Sequence, residues 1–290
     1  MTESTGTSKA AAPPAAAPIE LLWDPDSVPP FPGIALKALH LMSGTDTSLP
    51  ELCNLVRSDI AFSTAVLKIA NSPLIAFSKE VTSVVQAAML LGFRRLRTVV
   101  VTVGLRAYLK DSFTPLMKSC WHHSLACAII AEQSAGCVSL DNDFAYSAGI
   151  LHDIGRMALV TLMPGAYALA VERGADKPQD MLRVERHFCG IDHCQAGSSL
   201  VTTWNLPEAF LEIAAHHHDP EAVLPLTASL IAPSCALADA VGFAGVNYRT
   251  PRSYEEVLAE FPEPARKRFP TDANDLASQI KKEIHAIEKA

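Results

Sequence analysis

Residues 149–155 read Gly149-Ile150-Leu151-His152-Asp153-Ile154-Gly155, an imidazole and a carboxylate side by side in an otherwise apolar run. Burying such groups is costly unless they pair or bind a cation. The same residue types recur outward from this stretch: His123 precedes it, and His193, His217-His218 and Asp239 follow. Eight of the ten histidines lie between His122 and His218. Each rung of this ladder lies in a segment whose apolar residues recur at helical spacing. Imidazoles and carboxylates contributed by separate helices are how an all-helical protein builds a metal site in its core. The pattern predicts an all-α fold with a candidate metal-centred site suited to phosphoester chemistry.

Composition narrows the class. The 290-residue chain is 49% hydrophobic and 19% charged, which suits a buried core and not a disordered chain. A formal net charge of -7 argues against a broad nucleic-acid surface, because phosphate binding needs clustered Lys and Arg. Arg94, Arg95 and Arg97 form one local basic cluster, read first as a solvated face. The seven cysteines are odd in number, contain no CxxC pair and lie mostly among apolar residues. That usage predicts a reducing setting without a disulfide framework. No segment reaches the ~18 consecutive apolar residues of a membrane span. Residues 1–20 lack the basic and then apolar order of a signal peptide. A cytoplasmic protein with no membrane partner is expected.

Residues 1–24 form an Ala/Pro-rich lead-in, expected to be disordered because it can bury little surface. An N-terminal helical lobe is expected over 25–112, with Leu91-Gly92-Phe93 ending one of its helices. The β-branched run Val99-Val100-Val101 reads as helix, since the apolar pattern continues through Val103 and Leu105, past strand length. The second lobe, 113–245, carries the ladder. Its helices are expected near 115–136, 143–163, 179–189, 192–204, 207–218 and 226–243, punctuated by Pro164-Gly165 and Leu206-Pro207. A charged tail over 246–290 should add one or two peripheral helices.

Two groups of motifs resemble one family. The first comprises Pro29-Pro30-Phe31-Pro32, then Ala61-Phe62-Ser63-Thr64-Ala65-Val66-Leu67-Lys68-Ile69-Ala70-Asn71-Ser72, then Ala87-Ala88-Met89-Leu90-Leu91-Gly92. It resembles the N-terminal half of the HDOD domain, a bacterial signalling relative of the HD phosphohydrolases. The second comprises Trp121-His122-His123-Ser124, the 149–155 stretch, Asp192-His193-Cys194-Gln195-Ala196-Gly197, Trp204-Asn205-Leu206-Pro207 and His217-His218-Asp219-Pro220. It is similar to the HD-derived half of the same domain. The resemblance covers roughly 25–245 and implies a two-lobed helical fold with an HD-type bundle. It also implies a place in bacterial regulation, where many members act as interaction modules.

By that resemblance Asp153 would bridge two metals. His123, His152 and Asp239 would hold one, and His193 with His217 or His218 the other. A dinuclear site ~3.5–4 Å across can acidify a bridging water and clamp a phosphoryl oxygen. The nitrogen and oxygen donors suit one or two divalent ions, Fe or Mn first, with Zn or Co compatible. On a regular helix His152 and Asp153 would diverge by ~100°, so the site has to lie close over the helix. Gly155 permits such a close backbone approach.

Two features depart from the family's cyclic-dinucleotide esterases. Their Gly-Tyr-Pro signature is missing after His217-His218, where residues 219–224 read Asp-Pro-Glu-Ala-Val-Leu. Ser119 and Gly242 stand where those enzymes often carry a glutamate and a lysine. A cyclic-di-GMP esterase is therefore not expected. The leading expectation is a signal-transduction module that works mainly by binding protein partners, through an N-terminal surface around Phe31, Phe62 and the arginine cluster. The alternative is a metal-dependent phosphohydrolase acting on a nucleotide or other phosphoester. His122 and His216 read as structural or solvent-facing neighbours, Trp121 and Trp204 as packing residues, and Cys189 and Cys194 as core thiols.

Overall fold

Proline and small polar residues start the helices, and apolar stripes hold them together. The computed structural model describes residues 23–40, 49–71, 81–109, 114–223 and 225–289. The expected lead-in falls almost wholly outside them. Among the described residues the regular structure is helical, and the one β-contact is an isolated bridge between Ala175 and Tyr248. Among these residues no single helix is long and apolar enough to cross a membrane.

The N-terminal lobe consists of α1 (Gly33–His40), α2 (Leu49–Arg57), α3 (Ile60–Ala70) and α4 (Val84–Leu109). Helix α4 breaks at Gly92, whose φ of 76° and ψ of 166° suit a residue without Cβ. The expected boundary is thus a kink between two helical stretches. Val99, Val100 and Val101 are helical and buried, as the apolar run predicts. Phe31 and Phe62 are 4% and 5% exposed, so neither can present a binding surface. Arg97 is buried as well, with its guanidinium 3.6 Å from Asp143 of the second lobe. At that position the arginine cluster is a lobe-to-lobe contact and not a solvated face.

The second lobe is built around α5 (Pro115–Cys137), started by Pro115 and capped by Thr114, which accepts from Met117 N at 3.1 Å. Alongside it runs α6 (Asn142–Leu151), capped by Asp141. A Cβ on Gly149 would stand 2.6 Å from Ala128 Cα, so glycine is what lets the two helices approach backbone to backbone. The single helix expected over 143–163 is two: α6 ends at Leu151 and α7 (Ile154–Leu162) restarts after Asp153, whose φ of -106° and ψ of 22° leave the helical region. Pro164-Gly165 starts a helix, α8 (Pro164–Arg173), where a punctuation mark was expected, because proline at the first position suits a helix start.

Next come α9 (Pro178–Cys189), ended by left-handed Gly190, and α10 (His193–Thr203), started by an Asp192–Gln195 capping box. Then follow α11 (Ala209–His216), α12 (Leu226–Ser229) and α13 (Ile231–Ala240), so the helix expected over 226–243 is also divided. The tail holds three helices, α14 (Tyr254–Leu258), α15 (Glu263–Arg266) and α16 (Ala273–Lys289), where one or two were expected. Helix α16 is less peripheral than its charge suggests: Leu276, Ile280 and Ile284 are buried on a face that packs on α5 and α3. An aromatic cluster joins the lobes. The Phe31 ring stacks on Trp204 with centroids 5.4 Å apart, and Tyr108 meets Trp204 edge-on at 5.3 Å.

Candidate metal centre

The break between α6 and α7 sets the site. On a continuous helix His152 and Asp153 would face different directions; the turn at Asp153 lets both face inward. Gly155 then brings α7 against the start of α10. A Cβ there would lie 2.0 Å from His193 O and 2.3 Å from Gly197 N, so only glycine fits. This contact sets His193 Nε2 3.4 Å from Asp153 Oδ1. The end of α11 contributes His217, whose Nε2 is 3.7 Å from the same oxygen. His123, on α5, and His152 have ring centroids 5.3 Å apart.

The backbone fixes the tautomers. Nδ1 of His152 donates to Gly149 O at 2.6 Å, that of His217 to Ile213 O at 3.1 Å and that of His123 to Phe243 O at 2.9 Å. His193 Nδ1 donates instead to the Glu185 carboxylate at 2.6 Å. An imidazole held at Nδ1 presents the Nε2 lone pair, which is how metal-binding histidines are oriented. His152 Nε2, Asp153 Oδ1, His217 Nε2 and His218 Nε2 are buried with no hydrogen-bond partner. Leaving so many acceptors unpaired in one place is costly. Three groups have their ligand atoms within 4.8 Å of one another: His152–Asp153–His217, His193–His217–His218 and His123–His152–Cys235. Two ligands each ~2.0–2.2 Å from one ion stand roughly 3–3.5 Å apart, and Asp153 Oδ1 stands 3.4 Å from His193 Nε2 and 3.7 Å from His217 Nε2. The donors present fit a divalent cation.

Charge in the site follows from burial and neighbours. Burial works against the Asp153 carboxylate, but Arg156, His193 and His217 outweigh it and hold its pKa well below the usual range. Burial pushes His152 well below its ordinary value, and with nearby cations does the same to His218, so both present neutral rings. Burial also opposes charge on His217 and on the Cys194 thiol. Their mutual attraction, with Asp153 acting on His217 and His193 on Cys194, raises His217 to about 9 and lowers Cys194 to about 6.

Sequence reasoning missed four residues here. Arg156 is 2% exposed, and its guanidinium donates from Nε to Asp153 Oδ2 at 2.6 Å. It also donates from Nη1 to Tyr167 Oη at 2.8 Å and to Glu185 Oε1 at 3.3 Å. Glu185 and Tyr167 complete that cage. The available signal was the lone charge in the apolar run 154–162, three residues after Asp153 and so on the same helical face. The fourth is Cys235, whose Sγ is 3.4 Å from His123 Nε2. Asp239, four residues on, belongs to none of the three groups; its Oδ1 lies 3.1 Å from His123 Nδ1. His122 pairs with Glu288 at 2.8 Å and His216 is half-exposed, as expected of flanking residues. A cleft of about 970 Å³ opens on His217, His218, Cys235 and Asp239, and Lys177, Gln179, Thr250 and Arg252 also line it.

Comparison with known proteins agrees with this architecture. The family model of the HDOD domain matches residues 28–220. A Treponema pallidum protein described as uncharacterized is 24% identical over 212 residues, covering 71% of this chain and 41% of its own. Ribonuclease Y of Thermus thermophilus is 30% identical over 169 residues, covering 58% of this chain and 24% of its own. The chain therefore spans less than half the length of these curated relatives. The crystal structure of an HDOD domain protein of unknown function from Geobacter sulfurreducens superposes with a TM-score of 0.71 at 25% identity, covering 90% of this chain and 91% of that one.

Proposed function

The chain belongs to the HDOD domain family, and from that premise we propose that it is a bacterial signalling module whose HD lobe binds a divalent cation and whose output is mainly the binding of a protein partner. The convergence of unpartnered polar atoms carries the cation reading: His152, Asp153 and His217 bring ligand atoms within 4.8 Å of one another, and His152 Nε2, Asp153 Oδ1 and His217 Nε2 have no hydrogen-bond partner. Under this reading His123, His193, His218 and Asp239 surround them and complete or orient the set. A bound ion would supply Lewis acidity and a more acidic water. The protein's own part is to fix each Nε2 through a backbone or carboxylate contact at Nδ1, and to keep Asp153 ionised.

A second reading, phosphohydrolysis, is favoured by the cleft. Its walls place Lys177 and Arg252 near His217 and His218, a combination suited to a nucleotide or other phosphoester. Because residues 219–224, Ser119 and Gly242 lack the esterase features, cyclic-di-GMP is not the substrate under this reading. Untagged protein purified without chelators tests the cation reading by elemental analysis; Fe or Mn near stoichiometric amounts is expected, and less than a few per cent of any transition metal sinks it. Turnover assays with cyclic-di-GMP and with a generic phosphodiester, in Mn(II) or Fe(II), separate the two readings. Turnover lost in Asp153→Ala would establish the enzyme and displace the binding module.

A further inference from the structure

The dinuclear arrangement implied by resemblance needs a second ion on His193 with His217 or His218. The geometry points to something else: we propose that the Arg156 guanidinium is a built-in cation standing in for the second metal, so that the chain takes up one divalent ion with Asp153 joining it to the guanidinium. This rests on the cation-binding reading above and specifies its stoichiometry.

His193 directs Nδ1 at Glu185 Oε2, 2.6 Å away, which leaves Nε2 as the one ring nitrogen open to a metal. That position is already taken, because Arg156 Nη2 lies 3.1 Å away. A metal bound by His193 would stand ~2.0–2.1 Å from Nε2, which puts it about 1 Å from the Arg156 nitrogen when both lie along the lone pair. The two cannot coexist. Asp153 is divided in the same way: Oδ2 accepts from Arg156 Nε at 2.6 Å, whereas Oδ1 has no hydrogen-bond partner.

Arg156 is not free to step aside. It cannot lose its proton in a protein, and its third face is held by Tyr167 Oη and Glu185 Oε1. Moving it would leave the buried Glu185 and Asp153 carboxylates without their counter-charge. The Oδ1 oxygen of Asp153 accepts nothing from the guanidinium. Ligand atoms of His152, Asp153 and His217 lie within 4.8 Å of one another. One carboxylate thus bridges two cations, one exchangeable and one covalently part of the chain.

The test is metal stoichiometry and the spectrum of the bound ion. The full chain, stripped by chelation and titrated with Mn(II), should take up one ion. Its electron paramagnetic resonance should show the hyperfine-split signal of an isolated Mn(II). His217→Gln should weaken uptake by more than the ~10–100-fold typical of an outer-sphere change, whereas His193→Gln should still bind one ion. Arg156→Gln, if circular dichroism shows it folded, should accept a second ion. Two ions per wild-type chain with an exchange-coupled signal would overturn the inference while sparing the cation reading. So would a folded Arg156→Gln that still takes one ion, or a His193→Gln chain that loses its ion as completely as His217→Gln. Should Arg156→Gln fail to fold, the two histidine variants decide. No uptake by the wild type would overturn both readings together.

Discussion

The interiors of the two lobes are made of different material. Inside the N-terminal helices lie Leu39, Leu52, Val56, Val66, Leu96 and Val100, an apolar core. Among the described residues, the buried polar ones of that half, Arg97 and Thr102, lie at the seam, near Asp143 and bonded to Tyr146 Oη at 3.1 Å respectively. The HD lobe encloses His123, His152, Asp153, Arg156, Glu185, His193, His217 and His218 among its Leu, Ile and Ala. One interior is stabilised by area removed from water, which no ion or modest pH change alters. The other is stable only while each buried charge keeps its partner. Folding can therefore be robust in one half and conditional in the other.

The largest expected effect is at Arg156. Arg156→Met leaves two buried carboxylates without their cation and should destabilise the protein by ~3–5 kcal/mol, read from denaturant midpoints. A loss under about 1 kcal/mol would erase the contrast between the lobes. Next is the cation itself. Ion binding to the native state alone adds ~2.7 kcal/mol at a hundredfold excess over Kd, so Mn(II) should raise the melting temperature of wild type. Leu52→Ala, a change in the apolar lobe, should keep that upward shift, and Asp153→Ala should lose it. Equal shifts in all three proteins would show that the ion acts elsewhere.

A smaller effect is expected where α16 and the seam meet α5. Burial raises the half-buried Glu132 carboxyl from an ordinary 4.5 to about 7, against the opposing pull of Arg95. The folded state then holds a proton that the unfolded state has lost across that interval. Stability should fall as pH rises from about 4.5 to about 7, and solvent near the side chain moderates the slope. Glu132→Gln should flatten it in melts taken across this range; an unchanged slope would place the titration elsewhere. The smallest effect contrasts two glycines. A Cβ on Gly33 meets nothing within 4 Å, so Gly33→Ala should stabilise by ~0.4–1 kcal/mol. Gly155→Ala, by contrast, meets the α10 backbone and should be the harmful member of the pair.

Much of this was legible in the chain. The ladder His123, His152, Asp153, His193, His217 and His218 identified the residues that meet, and helical spacing identified the class. The break at Asp153 was not legible, because residues 143–163 keep an unbroken apolar pattern and only tertiary contact with α10 decides where the helix turns. Arg156 escaped notice for a related reason: an arginine in an apolar run looks like the solvent face of an amphipathic helix until its partners Glu185 and Tyr167 are folded beside it. Phe31 and Phe62 suit an interface and a core alike, so the sequence does not choose between the two. The stacking of Phe31 on Trp204 is a contact between distant segments that no local pattern encodes.

Helix α10 has a mechanical consequence. His193 is its first residue and Trp204 caps its other end. At 1.5 Å per residue, its eleven residues make a strut of ~16 Å. The Asp192–Gln195 box and the close contact with Gly155 brace one end, and the Phe31–Tyr108–Trp204 rings grip the other. A hydrogen-bonded helix is stiff along its axis, so α10 ties the place where His193 meets Arg156 to the aromatic rings by one rigid element. Indole emission from Trp204 thus sits where the two lobes meet, at the far end of the helix that begins with His193.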